Sequence, residues 1–115
     1  MNKKDIGNIY ETKAAEYLRN LGYVILERNY YWKHLEIDII AYDPTTKDLV
    51  FVEVKYRKND NFGGAESAIT KEKIKNLRIA ALVYIKKHGY KIDTFIRFDC
   101  ILITGKNINH VKNAW

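Results

Sequence analysis

The sequence of residues 35–57, LEIDIIAYDPTTKDLVFVEVKYR, predicts two β-strands joined by a turn. Both arms, at 35–42 and 49–57, are rich in β-branched and aromatic residues, which favour strands. The polar segment between them contains proline, aspartate and threonine, which are typical of a turn. We therefore expect a β-hairpin at the centre of the fold.

The register of this hairpin decides which side chains share a face. If Tyr42 faces Leu49, Asp38 lies opposite Glu53, and Glu36 lies opposite Lys55. The four charged residues then lie on one face of the sheet. The other face is expected to be uniformly apolar and consists of Leu35, Ile37, Ile39, Ala41, Val50, Val52, Val54 and Tyr56.

Two carboxylates directly opposed on a sheet repel each other unless a cation or a proton lies between them. Mg²⁺ binds one or two carboxylates and completes its shell with water and phosphate oxygens, so Asp38 and Glu53 form a candidate metal site. Lys55 is a candidate for orienting a nucleophile or neutralising developing charge. An isolated Glu-x-Lys is more often a surface charge pair, and Glu36 is as well explained by an ion pair with Lys55 as by metal ligation.

The remaining elements follow from periodicity and from helix-ending glycines. A helix is predicted from Asp5, as N-cap, to Leu21. A strand follows at 23–30, ahead of the hairpin, and a second helix spans about 70–88. A strand at 95–103 and a short edge strand at 108–111 complete the order αβββαβ(β). This order predicts one α/β domain over residues 1–115, with a central mixed β-sheet flanked by α-helices.

The chain has 115 residues and a formal net charge of +6, with an isoelectric point near 9.3. A basic surface favours a polyanionic partner such as nucleic acid. The candidate phosphate-binding residues are Arg57, Lys58, Lys73 and Arg78. The competing interpretation of these cations is an ordinary solvated surface.

The compartment and the metal type are also constrained by composition. Cys100 is the single cysteine and its neighbours suggest a buried strand, which is typical of a reducing cytoplasm. We expect a cytoplasmic protein with no membrane partner, because the sequence has no signal-like or membrane-spanning apolar run. The three histidines lack metal-ligand spacing, so a zinc site is not expected.

Several motifs resemble those of the YraN-like family of bacterial predicted endonucleases. They are EIDIIA at 36–41, FVEVKYR at 51–57, FG at 62–63 and RFD at 97–99, and the resemblance extends over nearly the whole chain. It implies a restriction-endonuclease-like fold with a PD-(D/E)xK site, similar in layout to archaeal Holliday junction resolvases.

The resemblance also implies roles for individual residues. Asp38 and Glu53 would be metal ligands, Lys55 the catalytic lysine, and Glu11 of the first helix an additional catalytic and metal-binding acid. From the residues alone, Glu11 is better explained as an exposed glutamate paired with Lys13 or Lys4, and the family resemblance makes the two explanations about equal. This chain has Leu35 and Tyr10 at two positions where the family usually has glycine.

We therefore expect a Mg²⁺- or Mn²⁺-dependent deoxyribonuclease acting in DNA repair or recombination, with branched DNA as one candidate substrate. The main alternative is a catalytically inactive nucleic-acid-binding module on the same fold. A third interpretation is an interaction protein whose acids form a structural network. A homodimer would suit cleavage of both strands of a symmetric substrate.

Overall fold

The computed structural model describes residues 2–57 and 70–115. Helix α1 spans Lys3–Asn20 and helix α2 spans Lys71–Lys87. The strands are β1 (Val24–Trp32), β2 (Leu35–Asp43), β3 (Asp48–Arg57), β4 (Ile96–Thr104) and β5 (Asn107–Val111). The predicted order of elements is confirmed, including the short edge strand.

The five strands form one sheet in the order β1-β2-β3-β4-β5. Strands β3 and β4 are parallel, and every other neighbouring pair is antiparallel. Helix α2 lies between β3 and β4 in the chain, as a parallel connection requires. This mixed sheet with two helices is consistent with a restriction-endonuclease-like α/β fold.

The two helices bury opposite faces of the sheet. Ala14, Ala15 and Leu18 of α1 pack in one core cluster, whereas Leu77, Ala80, Ala81 and Tyr84 of α2 pack in another. The sheet residues of the α1 cluster include Ile39, Ala41, Val50, Val52, Ile101 and Ile103. Of the two described helices, neither is long and apolar enough to cross a membrane.

The start of α1 differs from the sequence prediction. The helix begins at Lys3, and Asn2 is its N-cap, because the Asn2 side chain accepts a hydrogen bond from the backbone N–H of Asp5 at 2.9 Å. The expectation that Asp5 is the N-cap is therefore wrong. Asp5 instead lies in the first turn, where a carboxylate interacts favourably with the helix dipole.

The central hairpin has the predicted register. Tyr42 pairs with Leu49, and the ladder runs from Asp43–Asp48 to Ile39–Val52. It stops one step before the predicted pair of Asp38 and Glu53. The carboxylates therefore lie where the regular pairing of β2 with β3 has ended.

The predicted alternation of faces in β2 is partly wrong. Leu35 and Ile37 pack in the α2 cluster with Ile40, whereas Ile39 and Ala41 pack in the α1 cluster. The alternation of side chains thus shifts by one residue around Asp38. Asn29 of β1 lies between the pairs Arg28–Ile39 and Tyr30–Ile37 and has φ of 52°. This left-handed backbone, which asparagine tolerates, makes β1 irregular at the same level of the sheet.

Candidate metal and nucleic-acid site

Asp38 is buried near the middle of β2, with 8% of its surface exposed. Its Oδ2 accepts a hydrogen bond from the backbone N–H of Val54 at 2.8 Å. Val54 directly follows Glu53 in β3, so this bond holds the Asp38 carboxylate beside the second predicted ligand. It takes the place of a backbone contact that the ladder no longer makes.

The electrostatic environment of Asp38 is unfavourable to its charged form. Burial, followed by repulsion from Glu53, raises the pKa of Asp38 well above its usual range. The Val54 N–H opposes this shift, whereas Glu11 and Glu36 add to it. The site therefore carries more buried negative charge than its own hydrogen bonds compensate.

Glu53 is also buried, and its two oxygens have different surroundings. Oε1 lies 3.3 Å from Nζ of Lys55 and 3.6 Å from Nζ of Lys73. Oε2 is buried and has no hydrogen-bond partner within the described part of the chain. A buried carboxylate oxygen without a partner is costly, so Oε2 is a ready acceptor for a cation or a donor.

The contact of Lys73 with Glu53 is one that sequence reasoning missed. Lys73 lies in the first turn of α2, and its backbone N–H donates to Oγ1 of the N-cap Thr70 at 3.1 Å. The cap fixes the backbone from which the lysine side chain reaches the carboxylate. Only the docking of α2 on the sheet brings these residues together, so no local sequence signal marks the pair.

Glu11 and Glu36 lie at a neighbouring cleft of about 450 Å³. Burial, together with the negative charge of Glu36, raises the pKa of Glu11, while Arg28 opposes the shift. Oε1 of Glu11 is buried and lacks a hydrogen-bond partner among residues 2–57 and 70–115. The cleft is lined by Lys4, Gly7, Asn8, Glu11, Asn29, Tyr31 and Glu36.

Two predicted ion pairs are replaced by other contacts. Lys55 pairs with Glu53, and the described ion pairs do not include one between Lys55 and Glu36. Lys13 lies over the ring of Tyr10, 5.2 Å from its centroid, instead of pairing with Glu11.

The carboxylate oxygens of Asp38 and Glu53 fit a small divalent cation that takes few protein ligands. Within residues 2–57 and 70–115, no three acidic, histidine or cysteine side chains are grouped closely enough to hold a metal ion. Glu11 is therefore not assembled with Asp38 and Glu53 into a complete ligand set. Mg²⁺ and Mn²⁺ accept carboxylate, water and phosphate oxygens. Oε2 of Glu53, which lacks a hydrogen-bond partner within the described ranges, and the repulsion at Asp38 fit such an ion.

The remaining predicted nucleic-acid contacts are spread over the surface. Arg57 lies at the end of β3, where it pairs with Thr104 of β4. Arg78 lines a separate cleft of about 450 Å³ along α2, together with Leu82 and Trp115. Lys58 and the Phe-Gly motif at 62–63 lie outside the described residues.

The two positions that differ from the usual family pattern have packing roles. Leu35 is buried in the α2-side core. The ring of Tyr10 stacks on that of Tyr56, with centroids 3.8 Å apart and an interplanar angle of 13°. Both side chains thus stabilise contacts between elements that surround the candidate site.

A second buried polar network lies at the start of β4. Arg97 contacts Asp99 through Nε at 2.9 Å, Asp43 through Nη1 at 3.1 Å, and Tyr23 through Nη2 at 2.6 Å. Asp99 also contacts Nε2 of His110 at 2.7 Å. Its acids meet cations and donors, whereas Oε2 of Glu53 has no hydrogen-bond partner among the described residues, so we assign this network a structural role.

The comparisons with known proteins agree with the family resemblance. A UPF0102 protein of Sulfurihydrogenibium is 43% identical over the whole of this chain and 97% of its own length. One from Fusobacterium nucleatum is 44% identical over 98% of this chain and 92% of its own length. The model of the uncharacterised protein family UPF0102 matches residues 10–103. The chain therefore belongs to the uncharacterised protein family UPF0102.

Proposed function

We propose that this protein is a divalent-metal-dependent deoxyribonuclease that acts in DNA repair or recombination. One observation carries the proposal. The buried carboxylates of Asp38 and Glu53 lie close enough to repel each other, Oε2 of Glu53 has no hydrogen-bond partner among the described residues, and the ammonium group of Lys55 lies 3.3 Å from Oε1. This is a set of groups that hydrolysis of a phosphodiester requires.

Each residue has a distinct role in the proposal. Asp38 and Glu53 would hold Mg²⁺ or Mn²⁺, whereas Glu11, in the neighbouring cleft, is a candidate catalytic acid that is not grouped with them as a ligand. The bound ion would polarise the phosphate and lower the pKa of a coordinated water. Lys55, whose side chain is about one-third exposed at 35%, is positioned to orient the attacking water or to neutralise charge on the phosphate.

The charge of the chain supports a nucleic-acid substrate. A net charge of +6 favours binding to a polyanion through counterion release. Arg57, Lys58, Lys73 and Arg78 remain our candidates for phosphate contacts. The cleft beside Glu11 and Glu36 is acidic and would repel a phosphate backbone. A bound metal ion would offset this negative charge when nucleic acid binds.

A cleavage assay tests the proposal directly. The purified protein is incubated with branched, single-stranded and duplex DNA in Mg²⁺, in Mn²⁺ and in a chelator. We expect metal-dependent cleavage of at least one substrate, which Asp38→Asn and Glu53→Gln abolish. Cleavage that survives in either variant would contradict the assigned site.

The other interpretations predict different results in the same experiment. A protein that shifts DNA in a gel but cuts none of the substrates under any metal condition is an inactive nucleic-acid-binding module. A protein that neither binds nor cuts DNA favours the interaction protein. Manganese binding measured by calorimetry adds an independent readout, because neither interpretation requires Asp38 and Glu53 to bind an ion.

A further inference from the structure

Lys73 has a position that phosphate binding alone does not explain. Its Nζ lies 3.6 Å from Oε1 of Glu53, the oxygen that Lys55 contacts more closely at 3.3 Å. Glu53 therefore has two positive neighbours on one oxygen and none within the described residues on the other. The shorter contact would remain if Lys73 moved away.

The side chain of Lys73 is accessible from outside the site. It is 37% exposed, whereas the side chain of Glu53 is 4% exposed. Its backbone is fixed by the Thr70 cap, but the long flexible stem allows the ammonium group to change partner. The first turn of a helix is also favourable for a phosphate group.

We propose that Lys73 is an internal counter-ion of Glu53 that the phosphate backbone of the substrate draws away, so that metal and DNA bind cooperatively. Without DNA, the ammonium group lowers the attraction of the carboxylates for a divalent cation. When Lys73 pairs with a phosphate instead of Glu53, its positive charge no longer weakens metal binding, and the metal binds more tightly. The inference rests on the proposed function and adds a coupling between its two ligands.

The coupling has a defined thermodynamic consequence. If DNA tightens metal binding through Lys73, the metal must tighten DNA binding by the same factor. Replacing Lys73 by a neutral residue should increase metal affinity without DNA, because a positive charge 3.6 Å from Oε1 of Glu53 is removed. From the Coulomb energy of such a pair in water, we expect an increase of roughly threefold to tenfold.

The test measures Mn²⁺ affinity by calorimetry, with and without a cleavage-resistant phosphorothioate DNA duplex. Lys73→Met should bind Mn²⁺ more tightly than wild type in the absence of DNA, and DNA should then add a smaller enhancement. Lys73→Arg keeps the charge and should behave like wild type. Lys75→Met is the matched control, because Lys75 is exposed on the same helix and has no ion pair among the described residues.

The outcomes separate this inference from the proposed function. If wild type binds no Mn²⁺, both are wrong. If it binds Mn²⁺ but Lys73→Met binds it no more tightly, or if DNA enhances Mn²⁺ binding equally in wild type and Lys73→Met, only the counter-ion role is overturned. The same holds if Lys75→Met matches Lys73→Met, because the effect would then be one of general charge.

Discussion

Asp38 accepts a hydrogen bond from the backbone N–H of Val54, at 2.8 Å. The bond crosses from β2 to β3 just beyond the last regular pair, Ile39 with Val52. It holds a buried carboxylate within the repulsive influence of a second carboxylate, on Glu53. The local geometry thus keeps two acids within repulsive range of each other, at a cost to the stability of the fold.

Asp38→Asn should stabilise the metal-free protein. The amide removes a buried charge, and its carbonyl oxygen can still accept the hydrogen bond from Val54. We expect the free energy of unfolding to rise by on the order of 1–3 kcal/mol in a chelator at neutral pH. Urea denaturation measures this change. Mn²⁺, which should raise the melting temperature of wild type, should no longer do so in the variant.

The matched control is Asp43→Asn. Although burial acts in the opposite direction, hydrogen bonds from Arg97 and the backbone of Thr45 lower the pKa of Asp43. Its charge is therefore stabilising, and the same substitution should reduce the free energy of unfolding. If both variants were destabilised alike, the excess negative charge that we assign to Asp38 would be refuted.

The effect of Asp38 should depend on pH. Burial and Glu53 raise its folded pKa, so between the unfolded and folded pKa values the folded protein keeps a proton that the unfolded chain has released. Raising the pH through this range lowers the free energy of unfolding of the wild type. Asp38→Asn has no proton to release at residue 38, so it escapes this loss of stability. The advantage of the variant should therefore be small near about pH 4 and larger near about pH 7. A constant difference across that range would contradict the shifted pKa.

The parts of the fold that were predictable depend on local signals. The turn and the apolar alternation of the hairpin are close in sequence, so the pairing of Tyr42 with Leu49 followed from them. The change of face at Asp38 did not, and neither did the positive φ of Asn29 at the same level of the neighbouring strand. Asparagine permits that conformation without requiring it, and the strand pattern alone gives no reason to expect it.

The candidate site also divides into contacts that local sequence predicts and contacts that only tertiary packing creates. Asp38, Glu53 and Lys55 could be named from the hairpin, since their relation depends on strand register. Lys73 could be named as a cation but not as a neighbour of Glu53, since only the packing of α2 brings it there. The Arg97 network unites Tyr23, which directly precedes β1, with residues of β2, β3, β4 and β5, and no periodicity connects such distant positions.

Lys55→Ala should separate chemistry from metal binding. If Lys55 orients water or neutralises the phosphate, its removal should lower the cleavage rate by about a hundredfold or more. Mn²⁺ affinity should be retained or increased, because a positive charge 3.3 Å from Glu53 is lost. Single-turnover cleavage and calorimetry measure the two effects. Loss of Mn²⁺ affinity together with cleavage would argue that Lys55 only maintains the shape of the site.

Arg57→Ala should weaken DNA binding with little effect on the metal. Arg57 lies at the end of β3, beyond the carboxylates, where a phosphate contact would add affinity for any sequence. The slope of log affinity against log salt concentration should fall by about one. Fluorescence anisotropy over a salt series measures this slope. Lys87→Ala, an exposed substitution at the C-terminal end of α2, should leave the salt slope unchanged.

Arg97→Met should destabilise the fold more than any surface substitution. Arg97 is 8% exposed and forms ion pairs with Asp43, Asp48 and Asp99. Removing it leaves buried acids without their main positive partner, which typically costs about 3–5 kcal/mol. Arg97→Lys should recover only part of this loss, because an ammonium group cannot reproduce the contacts of a guanidinium fork.

Urea denaturation of the two Arg97 variants, with the exposed Arg19→Met as control, tests this prediction. Burial raises the pKa of Tyr23 to about 12, against the influence of Arg97, so the phenol stays neutral and adds no negative charge to the acids left without Arg97. A loss of stability no larger than that of Arg19→Met would contradict a structural role for the network. Arg97 would then have to be reconsidered as a functional residue, tested by whether its loss alters DNA or Mn²⁺ affinity.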